Sequence, residues 1–342
     1  MGPVTIELEE LRDAAQKAFA IDKPVARDES WARIVELGWL MLDLPEDLGG
    51  LGLPPAAVAT ILFEQGRVLA TAPLIPALLG LQAIAASTTL ADRDDWIARI
   101  CGGEYVPLHM LPAAVTASAD GTLDGRIAGV FEADMASHVL AGMAGRYALI
   151  PLDAPGVEFV ERPLWDESRR LFDVVLTGHA IDPALVVAEG PATAALHDRI
   201  SPTAQLALAA DSLGGASALL EMTIDYLKMR RQFDRPLALF QALKHRVADL
   251  KVALSAAEAL MWSRAAGDTS PLEMGAMKAL ATTTARRIAE EAIQLHGGIG
   301  LTEEHPCHRF MKRAFLNCAL CGDADHWNGA RGKELLETLT PG

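Results

Sequence analysis

The residues best suited to chemistry lie in two short stretches. The first, Arg230-Arg231-Gln232-Phe233-Asp234-Arg235, sits between a helical pattern ending near Arg231 and Pro236, which blocks its continuation. A guanidinium at such a turn suits a pyrophosphate, because its planar fork directs two hydrogen bonds at once. A charged connection whose arginines pair with surface acids has the same composition. The second stretch holds Gln294, His296, Gly297 and Gly298. Paired glycines let a backbone lie against a flat or charged ligand with no Cβ in the way, and Gln294 both donates and accepts hydrogen bonds. A plain glycine helix stop reads the same way. A third group, Cys318-x-x-Cys321 with Cys307-His308 before it and His326 after, has zinc-like spacing. Cys318 and Cys321 fall on one predicted helix face, however, and buried thiols are common, so no metal is expected.

Three blocks must position these residues. Residues 1–105 read as helical. A first helix covers 5–20, with acids in its opening turn, and a second covers 28–38, closed by Gly38. The Gly/Pro-rich loop from Asp43 to Gly52 follows, and helical patterns resume at 54–70, 73–87 and 92–101. Residues 106–184 form the second block. Short segments at 105–111, 125–131, 147–151 and 172–176, many with Val, Ile or Phe, are separated by Gly, Asp and Pro and predict a small antiparallel β-domain. Residues 185–342 are the third, with apolar residues three and four apart at 203–230, 241–266, 271–296 and 306–321. Gly214-Gly215 inside the first of these helices permits close packing. The fold class is therefore α+β: a helical N-terminal domain, a small antiparallel β middle domain and a C-terminal four-helix bundle.

Composition narrows the function classes. The chain of 342 residues is 51% hydrophobic with a mean hydropathy of +0.20, yet its apolar stretches are all broken by Gly, Pro or charge. No membrane span is expected. No N-terminal segment joins a basic start, an apolar stretch and a cleavage site. The net charge of −15 argues against non-specific nucleic-acid binding, though not against a local basic pocket. Four cysteines in this length are not a disulfide framework, so a cytoplasmic protein with reduced thiols is expected.

Taken with their spacing, the two stretches resemble the C-terminal domain of the acyl-CoA dehydrogenase family. The family pattern RxQFG-x-PI-x-x-F-Q, followed by a histidine and ADM, is met by Arg230, Gln232, Phe233, Pro236, Phe240, Gln241, His245 and Ala248-Asp249-Leu250. The later AIQ-x-HGG-x-G-x-T is met by Ala292-Ile293-Gln294, His296-Gly297-Gly298, Gly300 and Thr302. The loop from Asp43 to Gly52 is similar to the family's P-E-x-x-G-G loop. The resemblance implies that Arg230, Gln232 and Phe233 contact an FAD held mainly by a neighbouring subunit. It also implies that Phe240 and Gln241 lie along that FAD, with Gln294, Gly297 and Gly298 at its pyrophosphate and adenosine part.

Two departures narrow the implication. The family's reaction needs a carboxylate base for the α-proton and a flavin for the β-hydride. Where most members carry that base in Y-E-G-T, this chain reads Cys321-Gly322-Asp323, and where a second lineage carries it, Ala204. No catalytic residue of the usual kind is expected, with Asp323 the nearest alternative base. The family's T-E-P-x-x-G-S-D loop is replaced by Leu108 to Ala114, and its W-I-T/S strand by Gly129-Val130-Phe131-Glu132. Motifs that serve a neighbour's FAD remain, while those that serve the chain's own do not. The resemblance thus implies the non-base-bearing subunit of a heterotetrameric, steroid side-chain type acyl-CoA dehydrogenase. Such an enzyme pairs with a homologous subunit as α2β2 and shares FAD at the interface. It acts on a bulky acyl-CoA thioester and passes electrons to an electron-transfer flavoprotein or similar acceptor. A self-sufficient flavoenzyme using Asp323 and a non-enzymatic assembly subunit are the alternatives.

Overall fold

The computed structural model describes residues 8–19, 27–267 and 270–339. The chain opens with helices α1 (Leu8–Phe19), α2 (Arg27–Glu36), α3 (Pro55–Arg67), α4 (Leu74–Ala85) and α5 (Arg93–Cys101). Strands follow as β1 (Ala114–Ala117), β2 (Leu123–Phe131), β3 (His138–Met143), β4 (Arg146–Pro151), β5 (Val157–Arg162), β6 (Leu171–His179) and β7 (Val186–Glu189). Then come α6 (Pro191–Met229), the short strands β8 (Arg231–Gln232) and β9 (Arg235–Pro236), α7 (Gln241–Ala265), α8 (Pro271–His296), α9 (Cys307–Ala319) and α10 (Ala324–Leu339). The described residues fall into two compact units. One comprises 27–54 and 71–204; the other comprises 8–19, 55–70 and 205–339.

In the first unit, two antiparallel sheets run β1-β2-β6-β5 and β3-β4-β7. Ile127, Val130, Val139, Ile150, Phe172 and Val174 belong to one buried cluster drawn from both sheets. Alternating strand patterning turns these side chains inward. The outer strand β5 exposes every residue after Val157, and Glu158, Glu161 and Arg162 protect that edge from further pairing. Helix α4 is apolar on nearly all sides and buried along almost its whole length, as such a composition requires. Residues 105–111 are not a strand as the sequence predicts; their backbone pairs with β3 through a bridge from Leu108 to Leu140, and Tyr105 and His109 bond β2 carbonyls through their side chains.

In the second unit, α1 packs on α3, and α8 packs against α7, α9 and α10. The start of α8 is coded locally. Ser270 accepts a hydrogen bond from the Glu273 amide, and Pro271 fills the first helical position. Helices α3 and α6 approach closely at glycine: a Cβ on Gly214 would lie 1.9 Å from the Phe63 carbonyl oxygen. The predicted role of Gly214 in close packing therefore holds. A buried ion pair ties α9 to α6, with Arg313 3.1 Å and 3.2 Å from the two Asp211 oxygens and Asn317 donating to the same carboxylate at 2.7 Å.

Two helix limits differ from expectation. Helix α6 begins at Pro191 and runs through Pro202, where the sequence predicts a start at 203. One missing amide donor is a local cost that tertiary packing overrides. Helix α10 is not anticipated at all, because Gly329 and Gly332 weaken its helical signal.

Candidate functional site

The first chemical stretch is a two-residue hairpin at the end of α6. Arg231 pairs with Pro236 and Gln232 with Arg235, leaving Phe233 and Asp234 at the tip. Both tip residues have positive φ, +51° and +60°. A tight hairpin turn of this length demands that conformation and normally takes Asn-Gly. A bulky aromatic held there is strained and needs support. Arg231 Nη2 supplies some by donating to the Asp234 carbonyl at 2.6 Å. Phe233 is 85% exposed, although its ring meets Phe240 edge-on at 6.2 Å. The Arg235 guanidinium stacks over Phe240 at 3.9 Å. Arg230, Gln232 and Gln241 are exposed, and Phe240 is half-buried.

The second stretch caps α8. Gly297 takes φ +65° and ψ −143°, starting a one-turn helix over Gly297–Leu301. Gln294, Gly297 and Gly298 are exposed, and a Cβ on either glycine would meet nothing within 4 Å. Tyr226 brings the two stretches together. Its hydroxyl donates to the His296 carbonyl at 3.1 Å, and its ring stacks on the His296 ring at 4.5 Å. Its own carbonyl accepts from the Arg230 amide at 2.8 Å. Arginine, exposed aromatic and open glycine backbone thus share one end of the helical unit.

Leu320, Cys321 and Gly322 link α9 to α10. The wholly buried Lys278 donates from Nζ to the carbonyls of Cys318, Leu320 and Gly322 at 3.1, 2.8 and 2.7 Å. An ammonium has three protons, so this geometry uses all of them. It also satisfies carbonyls left orphaned where α9 stops. Burial pulls the Lys278 pKa down, with Cys321, Cys318 and Asp323 opposing. The Cys321 carbonyl accepts from Gln205 Nε2 and Trp327 Nε1, each at 3.1 Å. Burial pushes the Cys321 thiol up to about 11, so it is protonated at neutral pH. Cys321 has φ +54° and lies beyond α9, so it does not share a helix face with Cys318 as the sequence predicts. Asp323 accepts from the His326 amide at 2.8 Å and caps α10. Sequence reasoning missed Lys278 and Gln205. The available signal was a lysine on the buried stripe of α8, one turn from Met274 and Thr282.

Around residues 108–114, Leu108, His109 and Met110 are buried. The His109 amide donates to the Leu140 carbonyl at 2.8 Å, and His109 Nε2 lies 2.9 Å from the Ala128 carbonyl. Glu132 is also buried, paired with Arg27 and accepting the Arg170 amide at 2.8 Å. Among the described residues, atoms close enough to share a metal ion come from His296, His305 and Cys307, not from Cys318 and Cys321. His245 is exposed.

Two family models match the chain: acyl-CoA dehydrogenase, N-terminal domain, over residues 7–104, and acyl-CoA dehydrogenase, C-terminal domain, over 203–324. Acyl-CoA dehydrogenase IpdE2 of Mycobacterium tuberculosis is 32% identical over 305 residues, 88% of this chain and 84% of the relative. The chain belongs to the acyl-CoA dehydrogenase family. This acyl-CoA dehydrogenase is also similar to FadE28 of Mycobacterium tuberculosis, 27% identical over 92% of this chain and 95% of the relative. Among solved structures, a variant of the Tcur3481-Tcur3483 steroid ACAD superposes with a TM-score of 0.84 at 27% identity, covering 97% of this chain and 98% of that one. Butyryl-CoA dehydrogenase from Megasphaera elsdenii shares the fold, with a TM-score of 0.84 at 20% identity over 98% of this chain and 100% of that one. Family membership makes the chain an oxidoreductase of the class acting on CH–CH bonds, and the family's members are FAD flavoproteins.

Proposed function

We propose that this chain is one subunit of a heteromeric acyl-CoA dehydrogenase, that it contributes residues to a partner's FAD, and that it has no catalytic base of its own. The observation that carries the reading is the exposed end of the helical unit. An arginine, an 85% exposed phenylalanine and open glycine backbone point outward together. Such a surface fits half of a site whose other half is elsewhere. The chemistry of these donors suits FAD: cation and amide groups for the pyrophosphate, an aromatic for the flat part. When bound, FAD accepts the hydride from the acyl β-carbon. In this reading Arg230, Gln232, Gln294, Gly297 and Gly298 hold the cofactor, while Phe233, Phe240 and Gln241 shape its flank.

The base position supports the same reading. By the family motif it falls on Cys321, whose thiol is protonated and whose carbonyl is held by Gln205 and Trp327. Asp323, the alternative base of a self-sufficient enzyme, is engaged as a helix cap. The buried segment from Leu108 to Met110 stands where the family's own-flavin loop belongs. The similar Tcur3481-Tcur3483 protein, described as a steroid ACAD, carries the names of two proteins. That description favours a bulky, steroid-like acyl-CoA thioester and a homologous partner subunit; an α2β2 assembly and an acceptor such as electron-transfer flavoprotein are part of the same proposal. We further assign 1–105, 106–184 and 185–342 as the family's three domains and the cytoplasm as the location. The matched ranges 7–104 and 203–324 support those divisions. Among the described residues no helix is long and apolar enough to cross a membrane.

Co-expression with homologous subunits tests the proposal. Flavin is expected in a complex and absent from the chain alone. Yellow, acyl-CoA-oxidising protein from the isolated chain would sink it, and colourless complexes throughout would favour an assembly role. Within a yellow complex, Arg230→Ala should weaken flavin retention by roughly tenfold or more, the worth of one charge-assisted contact. Full retention would count against the assigned role.

A further inference from the structure

We propose that His296, His305 and Cys307 form a binding site for a thiophilic divalent cation, zinc by the chemistry of its donors. One ligating atom from each residue lies within 4.8 Å of the other two. His296 is 2% exposed, and its Nε2 is buried with no hydrogen-bond partner. Its Nδ1 lies 2.8 Å from the Ala292 carbonyl. Metal-bound histidines show this arrangement: one ring nitrogen is held by a backbone carbonyl, leaving the other lone pair for the ion. The Cys307 side chain is fully buried, with Sγ 3.3 Å from His296 Nδ1, the nitrogen held by Ala292, so the thiol must turn toward Nε2 to share an ion with it. The His305 ring lies 4.3 Å from the His296 ring and is half-buried.

Two imidazoles and a thiolate make a three-ligand set that zinc completes with a water. On binding, the Cys307 sulfur forms a bond to the ion and its proton leaves to solvent. The ion would fasten the end of α8 to the start of α9, on either side of the turn that carries Gly297 and Gly298. This inference is independent of the flavin reading, because it concerns donors behind that turn and is tested without flavin or turnover.

The full chain, with its partner if one is needed for solubility, is stripped by chelation and titrated with Co2+. One Co2+ per chain is expected, with a near-ultraviolet thiolate-to-cobalt band that Zn2+ displaces. Cys307→Ser should abolish the band, and Cys318→Ser should leave it unchanged. Loss of outer-shell support alone weakens metal sites about 10–100-fold, so His305→Gln should cost at least about tenfold in affinity. His305 is half-buried, so that variant keeps the test decisive if circular dichroism shows Cys307→Ser to be misfolded. Absence of stoichiometric Co2+ in the wild-type chain overturns the proposal. So does a band that survives Cys307→Ser, or an affinity untouched by His305→Gln.

Discussion

Asp234 holds a left-handed backbone position, φ +60°, that glycine occupies without steric cost. Asp234→Gly is therefore expected to stabilise the protein by about 1 kcal/mol, the left-handed penalty for a residue with a Cβ, less the entropy that glycine returns to the unfolded chain. Thermal unfolding measures it, and a lower melting temperature would mean the aspartate stabilises the turn by a contact that outweighs the strain. Single residues divide cleanly by legibility. Arg230, Gln232, Phe233 and Gln294 stand out in the sequence because their types and spacing form a pattern along the chain, and the structure leaves all four exposed. Lys278 and Gln205 are not, because their importance comes from carbonyls more than 30 positions away. The grouping of His305 with His296 and Cys307 likewise depends on how one turn closes.

At the scale of elements, the closest approach is the tightest constraint. Gly214→Ala would put a methyl 1.9 Å from the Phe63 carbonyl oxygen and force α3 and α6 apart. A destabilisation of about 1–3 kcal/mol is expected, as for other overpacked interiors. Urea denaturation would detect it, and an unchanged midpoint would show that the helices separate freely. The helices were readable where caps and periodicity agree, as at Ser270-Pro271 for α8. They were obscure where one residue contradicts its neighbours. Pro202 reads as a start signal yet lies inside α6, and two glycines hide α10. Residues 105–111 carry strand-like composition, but they run beside β3 and touch it at a single bridge.

For the whole molecule, burial makes stability depend on pH. It is the main cause pulling His109 and His138 below the usual 6.5; the Ala128 carbonyl opposes it at His109, and Glu104 and Asp153 at His138. Between the lowered values and 6.5 the unfolded chain holds more protons than the folded one. Stability therefore rises with pH through that window and is lost on acidification. Melting temperature is expected to fall as the pH is taken down through that window. His109→Gln should flatten the profile of melting temperature against pH, and an unaltered profile would reject the assignment.

The lysine beneath the α9–α10 turn also bears on ancestry. If the base was lost from position 321, the structure now resists its return. A glutamate introduced there would meet a left-handed backbone, a carbonyl already held by two donors, and a buried ammonium nearby. Burial there already pushes the Cys321 thiol up against the pull of Lys278, so an introduced carboxylate would face the same opposed influences. Reversion is thus a problem of several simultaneous changes rather than one. On the proposed reading, a lineage that has taken this step would depend on a companion subunit, and the two genes would be inherited together.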